Sequence, residues 1–113
     1  MDILFMSEGL RSVFNTEQKL RRKYARAGVA TIQQRMADLR AAETLDAMKS
    51  IPGKCEELRH TDTHVLSLRL DGPWRLLFEP CHDPVPLHSG GNLDWTRVTR
   101  ITILGIEDYH AKK

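Results

Sequence analysis

Cysteine is scarce in this chain, and its scarcity narrows the kinds of protein to consider. Cys55 and Cys81 are the two present. They form no CxxC pair and no disulfide framework, so reduced thiols in a cytoplasmic protein are the expectation. Long hydrophobic runs are missing as well: no apolar stretch approaches the ~20 residues of a membrane span. The opening residues, Met1-Asp2-Ile3-Leu4-Phe5, lack both the basic segment and the extended apolar core of an export signal. Glycines are not spaced to cradle a phosphate, and no serine nucleophile elbow occurs. Five histidines are present, but their spacing argues against a metal. His60 and His64 fall before or at the start of a strand, where a spacing of four does not converge them as it would on a helix. His82 and His88 lie in a loop with Cys81, without a compact Cys/His pattern. No metal or other cofactor is expected, and there is no internal repeat or low-complexity segment.

What is present suffices for one domain over residues 1–113, since 41% of the residues are hydrophobic and can build one core. Net charge is only +2. Its densest basic run is Lys19, Arg21, Arg22, Lys23 and Arg26, usually a solvated helix face but also what a phosphate backbone or an acidic partner seeks.

Ile3 to Phe5 reads as a short strand, and Leu10, Val13 and Phe14 keep helical spacing after it. Asn15 followed by Gln18 resembles a capping box for a helix from Thr16, with Leu20, Tyr24 and Ala27 on one face and Gly28 as its stop. A second helix is expected from Val29 to Ala42, its stripe being Ile32, Met36 and Leu39. Thr44 can cap one further turn, from Leu45 to Met48, before Ile51-Pro52-Gly53 ends helical structure. From Cys55 the period changes. Leu66, Leu68 and Leu70 alternate with Val65, Ser67 and Arg69, the turn Asp71-Gly72-Pro73 follows, and Trp74 to Glu79 returns as a hairpin strand. Pro80 to Asn92 reads as a long exposed loop, and Trp95 to Ile106 as the last strand. The expected architecture is α+β, with two to three N-terminal helices packed on one face of a small, mainly antiparallel sheet.

The final stretch, Ile101 to His110, runs from apolar strand formers directly into Asp108, Tyr109 and His110. Tyr and His exchange protons, and Asp orients or accepts them. Arg59, Arg69 and Arg75 come from the sheet half of the chain. Guanidiniums beside an imidazole and a phenol suit a phosphodiester, because arginine grips phosphate with two donors and offsets the charge of a pentacoordinate transition state. Without a metal, RNA is the natural substrate, since its 2′-hydroxyl supplies the nucleophile. For each arginine taken singly, a surface ion pair is the blander reading.

Several segments add to this in order: Leu20-Arg-Arg-Lys-Tyr24, Arg35-Met-Ala-Asp-Leu-Arg-Ala-Ala42, Pro52-Gly53 with Cys55-Glu-Glu-Leu58, Arg75-Leu-Leu-Phe-Glu-Pro80, Asp83-Pro-Val-Pro86, Leu93-Asp-Trp95 and the Asp108-Tyr109-His110 ending. With these the chain resembles, over nearly its whole length, the HigB toxins (plasmid maintenance killer proteins) of the RelE/ParE superfamily. That resemblance implies a RelE-like microbial RNase fold. It implies a type II toxin: a metal-independent endoribonuclease that cuts mRNA in the ribosomal A site and so stops translation. It also implies neutralisation by a HigA-type helix-turn-helix antitoxin. Carried over by motif, Arg75, His110, Tyr109 and Asp108 are the catalytic candidates and Arg59 a phosphate contact; the reading of the residues themselves adds Arg69, and His60 and His64, as RNA or phosphate contacts.

One segment departs from the pattern. Leu58-Arg-His-Thr-Asp-Thr63 keeps a cation at Arg59, where relatives commonly carry lysine, but has Asp62 where they carry arginine. An anion there repels phosphate. His60 or His64 can take up part of the lost role. The departure motivates a second reading: a ParE-like poison of DNA gyrase, or a catalytically weak toxin-fold protein acting mainly through antitoxin binding. A small nucleic-acid-binding domain without activity is a third.

Overall fold

The computed structural model describes residues 1–59 and 61–109. Among them the fold is α+β. A strand β1 (Asp2–Phe5) leads into helices α1 (Glu8–Asn15), α2 (Glu17–Tyr24) and α3 (Val29–Ala41). Strands β2 (Glu56–Glu57), β3 (Leu66–Arg69), β4 (Trp74–Pro80) and β5 (Arg100–Asp108) follow. Short 3-10 turns lie at Ala25–Ala27, Leu45–Ser50 and Trp95–Arg97.

The strands form one sheet in the order β1-β5-β4-β3-β2. The pairings among β2, β3, β4 and β5 are antiparallel; β1 lies parallel to β5, Asp2 against Arg100 through Phe5 against Ile103. The sheet is therefore mixed, its chain start laid beside its last strand. The Glu56–Glu57 strand has no apolar alternation to announce it.

Alternation along the strands decides which side chains meet the helices. Leu66 and Leu68 of β3, Leu76 and Phe78 of β4, and Ile101 and Ile103 of β5 are all fully buried. They share one core with Leu20 of α2 and with Ile32, Met36 and Leu39 of α3. The expected α3 stripe is thus buried as a unit.

Helix starts differ from the sequence expectation. The Asn15–Gln18 capping box is not formed: Asn15 closes α1, and Thr16 stands at the α2 N-cap without a side-chain hydrogen bond. The cap used is Ser7, whose Oγ accepts from the Leu10 amide at 3.1 Å. It satisfies one of the orphan donors at the start of α1.

Gly28 does more than stop a helix. At φ 88° it enters α3, and a side chain there would run into the Asp71 carboxylate. Asp71 belongs to the β3–β4 turn. Its Oδ1 accepts from Thr31 Oγ1 at 2.7 Å, and its amide donates to the Ala27 carbonyl at 3.0 Å. The hairpin tip is thereby clasped to the first turn of α3.

The last strand starts later than expected. Asp94 accepts from both the amide and the hydroxyl of Thr96, at 3.1 and 2.6 Å, which caps a 3-10 turn at Trp95–Arg97 and delays β5 to Arg100. The Pro80–Asn92 loop is exposed over much of its length yet anchored. Leu87 bridges to Leu93, and Arg97 ties Asp94 Oδ2 at 2.7 Å to the Leu87 carbonyl at 2.8 Å. Both cysteines are free thiols, and burial pushes the Cys55 thiol up to about 12.

Candidate functional site

The β3–β4 hairpin sets Arg69 directly across from Arg75. Like charges in that register repel, so the arrangement needs compensation. Arg75 Nη1 donates to the carbonyls of Gly72 at 3.1 Å and Trp74 at 2.8 Å. On the other side of Arg75, β5 supplies Glu107 as its cross-strand neighbour. Beyond it the chain turns so that the Tyr109 amide donates to the Pro73 carbonyl at 3.0 Å, and the Tyr109 ring centroid lies 5.5 Å from Arg75 Cζ. A guanidinium over a phenol ring is an attractive cation–π contact. The hairpin and the end of β5 are thus joined at Arg75.

Beside this cluster lies a cavity of about 760 Å³. Leu77, Leu104, Gly105, Ile106 and Glu107 come from β4 and β5; Met6 to Leu10 contribute Met6, Ser7, Gly9 and Leu10; α2 contributes Lys23 and Tyr24; and Leu58, Thr61 and Val65 come from around the β2–β3 turn. Arg75 shares a strand face with Leu77 and a rung with Glu107, so it stands on the side of the sheet that opens to this cavity.

Three expected site residues therefore meet: Arg75, Tyr109 and, by register, Arg69. Arg35 of α3 supports the last, its Nε donating to the Arg69 carbonyl at 2.9 Å. Arg59 is exposed and adjoins Leu58 of the cavity lining without itself lining the cavity. His64 goes elsewhere: at φ 60° it turns its Nδ1 to Glu57 Oε2, 2.9 Å away. A carboxylate at that nitrogen opposes a phosphate contact there. Asp108 pairs with Trp74, so it belongs to the face opposite Arg75 and Glu107. His60 and His110 lie outside the described residues.

Compared with protein-family models, curated proteins and solved structures, the chain finds no match in any of the three. The site must be argued from its own chemistry.

That chemistry is cationic and partly aromatic. Among the described residues no group of three or more His, Cys, Asp or Glu side chains could hold a metal ion, and no helix is long and apolar enough to cross a membrane. Sequence reasoning missed Lys23, Tyr24 and Glu107 as cavity residues. Tyr24 reads as one member of a helix stripe, and nothing local says that its helix ends against a cavity. Gly105 was missed as well, although its signal is present in the sequence. A glycine inside a run of strand formers signals a bulge, and β5 does skip a residue there: Leu77 pairs with Gly105 but Phe78 with Ile103.

Proposed function

We propose that this protein is a HigB-like toxin with a RelE-like microbial RNase fold, an mRNA endoribonuclease working on the ribosome in the cytoplasm. The observation that carries the proposal is Arg75, held 5.5 Å from the Tyr109 ring and set across from Arg69 beside an open cavity. The order of motifs along the chain supports the same reading.

In this proposal Arg75 and Arg69 hold the scissile phosphate and offset the charge that grows on its oxygens. The ribose 2′-hydroxyl attacks phosphorus, the bond to the 5′-oxygen breaks, and the products are a 2′,3′-cyclic phosphate and a free 5′-hydroxyl. The proton leaving the 2′-oxygen and the one gained by the 5′-oxygen need a base and an acid. Tyr109 and His110 are the groups of suitable chemistry at the chain's end. Arg59, exposed next to Leu58 of the cavity lining, adds long-range attraction for the backbone. Neutralisation by a HigA-type helix-turn-helix antitoxin belongs to the same proposal.

The second reading, a ParE-like gyrase poison or a toxin-fold protein acting mainly through its antitoxin, is favoured by Asp62 and by His64 being drawn to Glu57. Purified protein in a ribosome translation reaction, followed by primer extension on the mRNA, separates the two. Cleavage that is lost with Arg75→Ala and with His110→Ala supports the nuclease. Intact mRNA with inhibited DNA supercoiling supports the poison. Cleavage undiminished in both variants removes these residues from the mechanism.

A further inference from the structure

The cavity beside the arginines is walled quite differently from the arginines themselves. We infer that it receives a nucleobase of single-stranded RNA, whose adjoining phosphate lies on Arg69 and Arg75. The inference rests on the RNA reading above and adds to it a site that reads the base.

Size and lining both fit. Small-molecule sites run from about 300 to 1,000 Å³, and this one is about 760 Å³. Leu10, Leu77, Leu104 and Ile106 give apolar walls, and Tyr24 an aromatic one. Flat π-faces pack on such walls whatever their sequence. The floor is kept open by the bulge. Leu104 has no register partner in β4, and a Cβ built on Gly105 would meet no other atom within 4 Å.

The polar groups are placed for a nucleotide rather than for an apolar ligand. Glu107 lines the cavity and is also the cross-strand neighbour of Arg75. Such neighbours have Cβ atoms roughly 5 Å apart, so an anion that accepts from a base edge adjoins a cation that takes the phosphate. A carboxylate has several acceptor sites, so a protein partner for Glu107 leaves capacity for a ligand. It favours bases whose edge carries an exocyclic amino group, as adenine, cytosine and guanine do, over uracil, which offers it a single ring N–H. Lys23 also lines the cavity, its Nζ 5.5 Å from the Tyr24 ring centroid. It continues the basic face of α2 and suits the next phosphate along the strand.

The test is a titration of isotope-labelled full-length protein with AMP, CMP, GMP, UMP and ribose 5-phosphate, following backbone amide signals. The three amino-bearing nucleotides should bind roughly tenfold more tightly than ribose 5-phosphate, the low end of what one stacked base contributes. UMP should fall between. Signals of Leu58, Thr61, Leu104 and Gly105 should move with nucleotides and stay still with ribose 5-phosphate. Leu104→Trp, which fills the cavity, should erase the difference while ribose 5-phosphate still binds; the wild-type signal map stands by itself if that variant fails to fold. Equal binding of all five compounds, shifts confined to the hairpin, or no binding at all would overturn the base site. A protein that binds nucleotides this way yet leaves mRNA intact keeps the base site and loses the nuclease. One that cuts mRNA while its cavity ignores the base does the reverse.

Discussion

The two sides of strand β4 show how differently one short sequence can be used. Leu76 and Phe78 are fully buried against the helices. Arg75 and Leu77, interleaved with them, stand on the side that opens to the cavity. The first set makes the sheet a packed platform that holds the second at fixed spacing; of that second set Leu77 is also buried, and Arg75 is the member free of the core. Stability and chemistry are therefore separable by changing alternate residues, which can be tested directly.

The largest effect should come from the packed side. Phe78→Ala removes a ring from the fully buried core and should cost about 3–5 kcal/mol. That is a large share of the ~5–15 kcal/mol that holds a domain of this size together. Urea unfolding measures it, and a midpoint close to wild type would show that β4 does not anchor the core. Arg75→Ala is the counterpart on the open side. It forfeits a cation–π contact worth about 1 kcal/mol or less and two hydrogen bonds to the Gly72 and Trp74 carbonyls near the surface. The unfolding midpoint should therefore move much less than in Phe78→Ala, while on the proposed nuclease reading mRNA cleavage should fall roughly 100-fold. Arg75→Lys keeps the charge but not the two-pronged donor geometry, and should recover only part of the activity. Equal losses of stability and cleavage in Arg75→Ala would abolish the distinction between the sides.

Periodicity made the packed side legible: the α3 stripe, the β3 alternation, the hairpin turn and the late β-branched strand all follow from spacing. It could not show the parallel pairing of β1 with β5, because Ile3 and Phe5 carry no mark of their partner. Nor could it show that Asp94 would use its side chain to cap a turn where strand formers predict a strand. At the site, Arg69, Arg75 and Tyr109 could be placed together because a tight turn puts Arg69 and Arg75 on one rung and β5 runs back past them. The cavity was not legible. Its walls come from five separate parts of the chain, and no local pattern in any one of them refers to the others.

Between the two sides stands the clasp at the hairpin tip. Gly28→Ala places a methyl against the Asp71 carboxylate at a backbone φ of 88°, which side chains rarely adopt. It should cost about 1–3 kcal/mol, less than Phe78→Ala, and it should also loosen the turn that sets Arg69 against Arg75. Reduced nucleotide or RNA binding at a temperature where the variant is still folded is the expected sign. Unchanged binding would mean that the hairpin keeps its geometry without α3.

The smallest expected effect is confined to the loop anchor. The Asp94 carboxyl is held down to about 2, first by the Thr96 side-chain hydrogen bond and then by that from Arg97. A carboxylate depressed in the folded state stabilises it at pH values above its unfolded value, near 3.8, and loses that contribution as pH falls through about 2. Acidification over this window should therefore release the Leu87–Leu93 bridge, seen as faster amide exchange at His88 and Asp94, whose amides donate to the Asn92 and Pro86 carbonyls. Asp94→Asn has no carboxylate to protonate and should flatten the pH dependence. Because Asp94 is not among the cavity residues, nucleotide binding measured at neutral pH should be the same in Asp94→Asn as in wild type. If binding falls with the loop, the anchor and the cavity are mechanically joined, and the separation of packed and open sides stops short of the β4–β5 connection.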